Sequence, residues 1–66
     1  MDKPHLEVGL RLQHIASGEI WELVRFVRHV IQRGVVQTEP VWATPRGEVG
    51  PAAGLRWEQF QPAPSK

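Results

Sequence analysis

The stretch HIASGEIWELVRFVRHV, His14 to Val30, decides the fold, because it reads either as one amphipathic helix or as the turn and second strand of a hairpin. At helical spacing Ile20, Leu23, Val24, Val27 and Ile31 share one face, with Glu22, Arg25, His29 and Gln32 opposite. Ser17 would cap that helix, Glu19 and Glu22 would complement its positive end, Arg28, His29 and Arg33 its negative end, and Gly34 would follow its last turn. Composition argues the other way. Ile20, Trp21, Val24, Phe26, Val27, Val30 and Ile31 are β-branched or aromatic, and such side chains suit a pleated surface and lose rotamer freedom in a helix. Just upstream, LRLQHI sets Leu10, Leu12 and His14 in alternation with Arg11, Gln13 and Ile15, and ASGE between the two segments is a compact glycine-containing turn. A hairpin is the simplest connection. The competing arrangement is α+β, with one helix at about 18–33 on a small sheet.

Working outward, the chain has 66 residues, enough for one domain with a small core. It has no cysteine, so neither a disulfide nor a thiolate metal ligand is available, and stability must come from apolar packing or from association. That composition fits a reducing compartment, and the opening MDKPHLEVG lacks the basic start and apolar run of a signal peptide, so a cytoplasmic location is expected. The longest apolar runs are a few residues, far below the roughly 20 that cross a bilayer, so no membrane partner is expected. The formal charge of +1 gives no bulk electrostatic footprint. One local cluster stands out: from Leu23 to Thr38 there is no acid, while Arg25, Arg28, His29 and Arg33 are all present.

Punctuation at ASGE, RG, TEP, TPRGE and GPAAG leaves apolar segments too short for a helical bundle but suited to four or five short strands. Residues 1–8 read as a flexible N-terminal arm, 9–61 as the folded domain and 62–66 as a flexible tail. Pro62 and Pro64 are placed outside the folded part because proline cannot donate to a ladder.

Gly9, then Leu12 and His14, then SGEIWEL from Ser17 to Leu23, resembles the opening of small single-domain SH3-like barrels of bacteria and phages. VWAT, PRGEV and WEQFQP resemble that family's later aromatic-bearing strand, glycine hairpin and closing segment, so the similarity covers about residues 9–62. The chain departs from it at GPAAGL, where a more regular strand exit belongs. The resemblance implies an all-β, SH3-like barrel of about five strands, near 10–15, 20–31, 35–43, 47–49 and 57–60, and implies almost nothing about function. On that reading the expected core is Leu10, Leu12, Ile20, Leu23, Val24, Val27, Val36, Val41, Val49, Leu55 and Phe60, to within a register slip that would exchange the faces.

The candidate binding residues are Trp21, Trp42 and Trp57 together with Arg25, His29 and Arg33. Three tryptophans in so short a chain would serve a proline-rich groove or an aromatic cage, or simply fill a small core. Along a strand, Arg25, His29 and Arg33 share one side while Arg28 points to the other; a basic strip beside tryptophan suits single-stranded nucleic acid, or is a solvated face paired with Glu22, Glu39 or Glu58. His5, His14 and His29 lack metal-ligand spacing, and His14, three residues before Ser17, is expected to bond within the first turn. No GxSxG elbow, phosphate loop or cysteine nucleophile is present, so neither catalysis nor a cofactor is expected. Three roles follow: a protein-docking adaptor, or a phage or mobile-element accessory protein acting on a host complex; a nucleic-acid-binding barrel; or a self-associating homo-oligomeric subunit.

Overall fold

The computed structural model describes residues 1–50 and 55–64 and answers the opening question in favour of strands. The elements are β1 (Arg11–His14), β2 (Ile20–Gln32), β3 (Val35–Thr44), β4 (Gly47–Val49), a single 3-10 turn (Trp57–Gln59) and β5 (Phe60–Pro62). Among the described residues there is no α-helix, so the α+β alternative is excluded. The strands form one antiparallel sheet in the order β4-β3-β2-β1-β5. The sheet is open: β4 and β5 lie at its two ends, and the expected barrel closure is not present in the pairing of the described residues.

Gly18 ends the first turn with φ 76°, a left-handed conformation that an L side chain adopts only at a cost. His14 closes this turn as expected. Its Nδ1 accepts the Ser17 amide at 3.3 Å and lies 2.9 Å from the Ser17 hydroxyl, whose oxygen in turn accepts the Glu19 amide at 3.3 Å. Because an amide can only donate, Nδ1 is the acceptor and the neutral ring carries its proton on Nε2.

The core is the row of side chains on one face. Leu12, Trp21, Leu23, Trp42 and Phe60 form a buried cluster, with Leu6, Leu10, Phe26, Val49, Leu55 and Trp57 packed against it. Trp21 and His14 both meet the Phe60 ring edge to face, at 5.1 and 5.2 Å between centroids, an arrangement that matches the positive edge of one ring to the negative face of the other. The register explains why the two tryptophans, rather than Ile20 and Val24, dominate. Leu12 faces Trp21, and Leu23 faces Trp42; the pairing then slips between Leu23 and Arg25, so that Val24 is bulged and Phe26, three residues after Leu23, returns to the core face opposite Pro40. This bulge also accounts for the helix-like spacing of the apolar residues in the sequence. Ile20, Val24 and Val27 are half-buried, and Val36, expected in the core, is exposed.

Three boundaries differ from expectation. The strand expected near 57–60 is a 3-10 turn at Trp57–Gln59, and the strand proper follows at Phe60–Pro62. Pro62 lies inside β5, opposite Leu12, and the Ala63 amide donates to the Arg11 carbonyl at 3.2 Å. An edge strand admits proline because its missing N–H can face the unpaired side. The N-terminal segment is not free of the domain either, since Leu6 packs on the core and the Gly9 amide donates to Leu23. The departure from the family pattern at Pro51–Gly54 lies outside the described residues.

Leu23→Ala should lower stability by about 3 kcal/mol, because the site is fully enclosed and cannot collapse without moving Trp42. Gly18→Ala should cost about 1 kcal/mol from backbone conformation alone, as nothing lies within 4 Å of an added Cβ, and Gly18→Val should cost more. Chemical denaturation of the three variants checks both values, and unchanged midpoints would refute the placement.

Candidate functional site

Strand lengths create the most exposed element of the molecule. β2 and β3 have 13 and 10 residues, whereas β1 and β4 have four and three. Their flanking strands therefore run out: β1 reaches only to Glu22 in the ladder, and β4 pairs only with Trp42, Ala43 and Thr44. Beyond those points β2 and β3 continue alone as a two-stranded arm, paired from Arg25–Val41 to Gln32–Val35 and closed by Arg33 and Gly34, where Gly34 supplies a φ of 77°. Seven residues of strand add about 23 Å, which accounts for extents of 43 × 23 × 18 Å. The radius of gyration is 12.7 Å, against about 11 Å for a compact domain of this length.

The arm carries apolar side chains that nothing covers. Val30 is 75% exposed, Ile31 54%, Val35 48% and Val36 47%. Val30 and Val36 are direct cross-strand partners, so they form one patch on the face that also bears Phe26, Pro40, Arg28 and Thr38. The opposite face carries Arg25, Val27 and His29 from β2, with Gln37, Glu39 and Val41 from β3.

Charges divide along the same faces. Arg25 forks onto Glu48, Nη1 donating to Oε2 at 2.9 Å and Nη2 to Oε1, which ties β4 to β2 across the Val41 and Ala43 rows of β3. The hydrogen bond from Arg25, with its positive charge, holds the Glu48 carboxyl below the usual range, and the same contact raises Arg25. His29 Nε2 lies 3.5 Å from a Glu39 oxygen. Arg28 and Arg33 have no carboxylate within 4 Å among the described residues.

The six residues singled out in the sequence are thus not one site. Arg25 and His29 share a face of β2 and each has a carboxylate; Arg33 sits in the arm's turn. Trp42 is fully enclosed, Trp21 is buried in the core, and Trp57 is half-buried in the 3-10 turn on the core side. Sequence reasoning passed over Val30, Ile31, Val35, Val36 and Arg28 as site residues. The available signal was the mismatch in length among the apolar segments, LRLQHI and PRGEV being far shorter than the two segments that meet at the RG turn.

Elsewhere, one open groove of about 310 Å³ has Trp21 and Phe60 in its lining. Its polar groups largely satisfy one another: Glu19 accepts from the Trp21 indole at 3.4 Å and from Arg46 at 3.2 Å, and Ser17 and His14 are consumed by the turn. Among the described residues, no three His, Asp or Glu side chains stand together in a way that would hold a metal ion, and no helix is long and apolar enough to cross a membrane.

Comparison with protein-family models, with curated proteins and with solved structures finds no match to this chain.

In a carboxyl-detected NMR titration Glu48 should have a midpoint below the ordinary glutamate range, and Arg25→Gln should return it to that range. Because the folded-state pKa is depressed, the stability this pair contributes is present above the ordinary glutamate pKa and is lost as pH falls through the lowered one. Both groups are solvent-exposed, so the change in melting temperature between Arg25→Gln and the parent should be small at neutral pH.

Proposed function

We propose that this chain is a non-catalytic protein-docking module, a cytoplasmic adaptor in which an SH3-like sheet holds the arm of β2 and β3 out toward a larger partner. The observation that carries the reading is the arm itself: four large aliphatic side chains stand exposed on a ribbon that extends past the core. Scattered apolar residues on a surface need no explanation, but here Val30 and Val36 are direct cross-strand partners with Arg28 two residues away, and an apolar patch rimmed by charge is the usual composition of an interface. The SH3-like assignment is supported by the strand order, in which β1 lies between β2 and β5, by the long bulged β2, and by the 3-10 turn that leads into β5.

Two observations favour protein over nucleic acid. A single-strand binder stacks bases on exposed rings beside a cationic track, whereas here Trp21 and Trp42 are in the core and Arg25 is already neutralised by Glu48. Two uncompensated arginines supply only a short electrostatic track. The cysteine-free composition fits the reducing cytoplasm assumed here.

A photo-crosslinking residue placed at Val36 in host lysate tests the reading, with the same residue at Gln61 on the edge strand β5 as reference. The expected result is a discrete, nuclease-resistant protein adduct from Val36 and none from Gln61. Replacing Val30 and Ile31 with threonine should abolish that adduct while changing stability by no more than about 0.5 kcal/mol each, since both are exposed and threonine keeps the strand preference. A nuclease-sensitive adduct, or an adduct only between copies of the chain, would overturn the proposal.

A further inference from the structure

Every strand of the sheet leaves backbone groups free where its neighbour ends, and two long free edges run along the arm. They are not equivalent. On β3 the edge from Val35 to Val41 is interrupted by Pro40, and a proline inside a paired strand turns its nitrogen toward the unpaired side. A strand laid there would miss a bond and would then meet β4, which begins pairing at Trp42. On β2 the last bonds from the β1 side are Leu23 N–H to Leu10 at 2.8 Å and Gly9 N–H to Leu23 at 2.9 Å. At Gly9, with φ 98°, the chain leaves the strand direction. From there to Gln32 no described segment pairs with β2 on that side, and no proline interrupts it. Between its two bulges, at Val24 and Ile31, β2 runs in unbroken register from Arg25 to Val30.

The side chains on this edge define what fits. On one face Arg25 and His29 already have Glu48 and Glu39 beside them. On the other, Phe26, Arg28 and Val30 follow one another two residues apart, and Arg28 has no carboxylate within 4 Å among the described residues. Residues directly opposite on neighbouring strands interact most strongly, with opposite charges favourable and like charges unfavourable. We infer that the free edge of β2 from Arg25 to Val30 accepts an added strand from the partner, in line with β1, and that this strand is an acidic, apolar segment with a carboxylate opposite Arg28 and aliphatic residues two places to either side. Main-chain bonds then hold the segment, and alternate side chains select it.

A second copy of this chain is a poor occupant. No acid occurs between Leu23 and Thr38, so two β2 edges paired about Arg28 would set Arg28 against its own copy, and paired about Val27 would set Arg25 against His29, with no carboxylate opposite Arg28 in either register. The inference rests on the docking reading above and names the chemistry of the segment that docks.

The test uses the full chain, isotopically labelled, and the blocked peptide Ac-TVTETVT-amide, with Ac-TVTKTVT-amide as its charge-reversed counterpart. Titration of the glutamate peptide is expected to shift the amides of Arg25 to Val30 and to slow their hydrogen exchange, with an affinity about five- to tenfold above that of the lysine peptide. Arg28→Glu should reverse that preference while leaving the Leu23 and Trp42 resonances in place. Shifts confined to β3 or to the Arg33–Gly34 turn, equal affinity for the two peptides, or no response at millimolar peptide would overturn edge addition. So would amide shifts that follow protein concentration without peptide, which assign the edge to a second copy, or the same shifts produced by a mixed-sequence single strand of DNA at 150 mM salt. Failure of the peptides with the Val36 adduct intact removes this inference and leaves the docking module standing. Loss of both removes the module as well.

Discussion

The cross-strand contact between Leu23 and Trp42 is the point on which the sheet depends. Both side chains are completely buried, and they face each other from β2 and β3. Trp42 is also opposite Val49, so one indole row joins β2, β3 and β4. Leu23 in turn takes both of the last backbone bonds from the β1 side, from Gly9 and to Leu10, so the residue that anchors the core also marks where β1 stops shielding β2. The slip at Val24 follows immediately. Inserting one extra residue there restores Phe26 to the core face and bends the strand, as a sheet must when it curls over so few buried side chains.

From that geometry the core ends where the arm begins. Phe26 and Pro40 are the last pair packed toward the buried cluster, and beyond them Arg28–Thr38 and Val30–Val36 occupy the same face with nothing behind it. An isolated two-stranded ribbon is marginal in water. Here the sheet supports its root, with the Arg25–Glu48 fork tying β4 over β3 to β2 just where the flanking strands give out. The outward-facing charges of that root are compensated, while those farther out, at Arg28 and Arg33, are not.

Much of this was legible in the residues. The alternation in LRLQHI, the glycine turn at Gly18, the β-branched character of Ile20 to Ile31 and the RG turn at Gly34 locate four strands to within one or two residues, because each is a local signal. Leu12, Leu23, Val41 and Phe60 were read as core and are buried. The faces of β2 were harder, since a bulge changes the period from two to three at a single residue and nothing in the local composition of Val24 marks it. Val36 does lie on the core face, but it is exposed because the arm runs past the last buried side chain, which alternation along β3 does not reveal. Trp42 is the largest fully buried side chain among the described residues through its register with Leu23 and Val49, which is a property of three strands at once. The closing arrangement, by contrast, was signalled by WEQFQP, but Pro62 was excluded by a rule for central strands that does not bind an edge.

The arm remains as the part whose composition folding alone does not require. A hairpin needs strand-forming side chains and a permissive turn, and threonine at Val30, Ile31, Val35 and Val36 would serve both needs without offering apolar surface to water. Those four positions are 47–75% exposed and stand outside the buried cluster, so their aliphatic character is not accounted for by the core. The same segment carries the only stretch of the sequence in which arginines accumulate without acids, and between the two bulges of its exposed β2 edge the cations oppose indiscriminate strand pairing. Apolar side chains set beside uncompensated cations suit the edge addition inferred above: an extended segment would be attracted, and such segments would be discriminated by charge, with specificity obtained partly through repulsion of the wrong occupant.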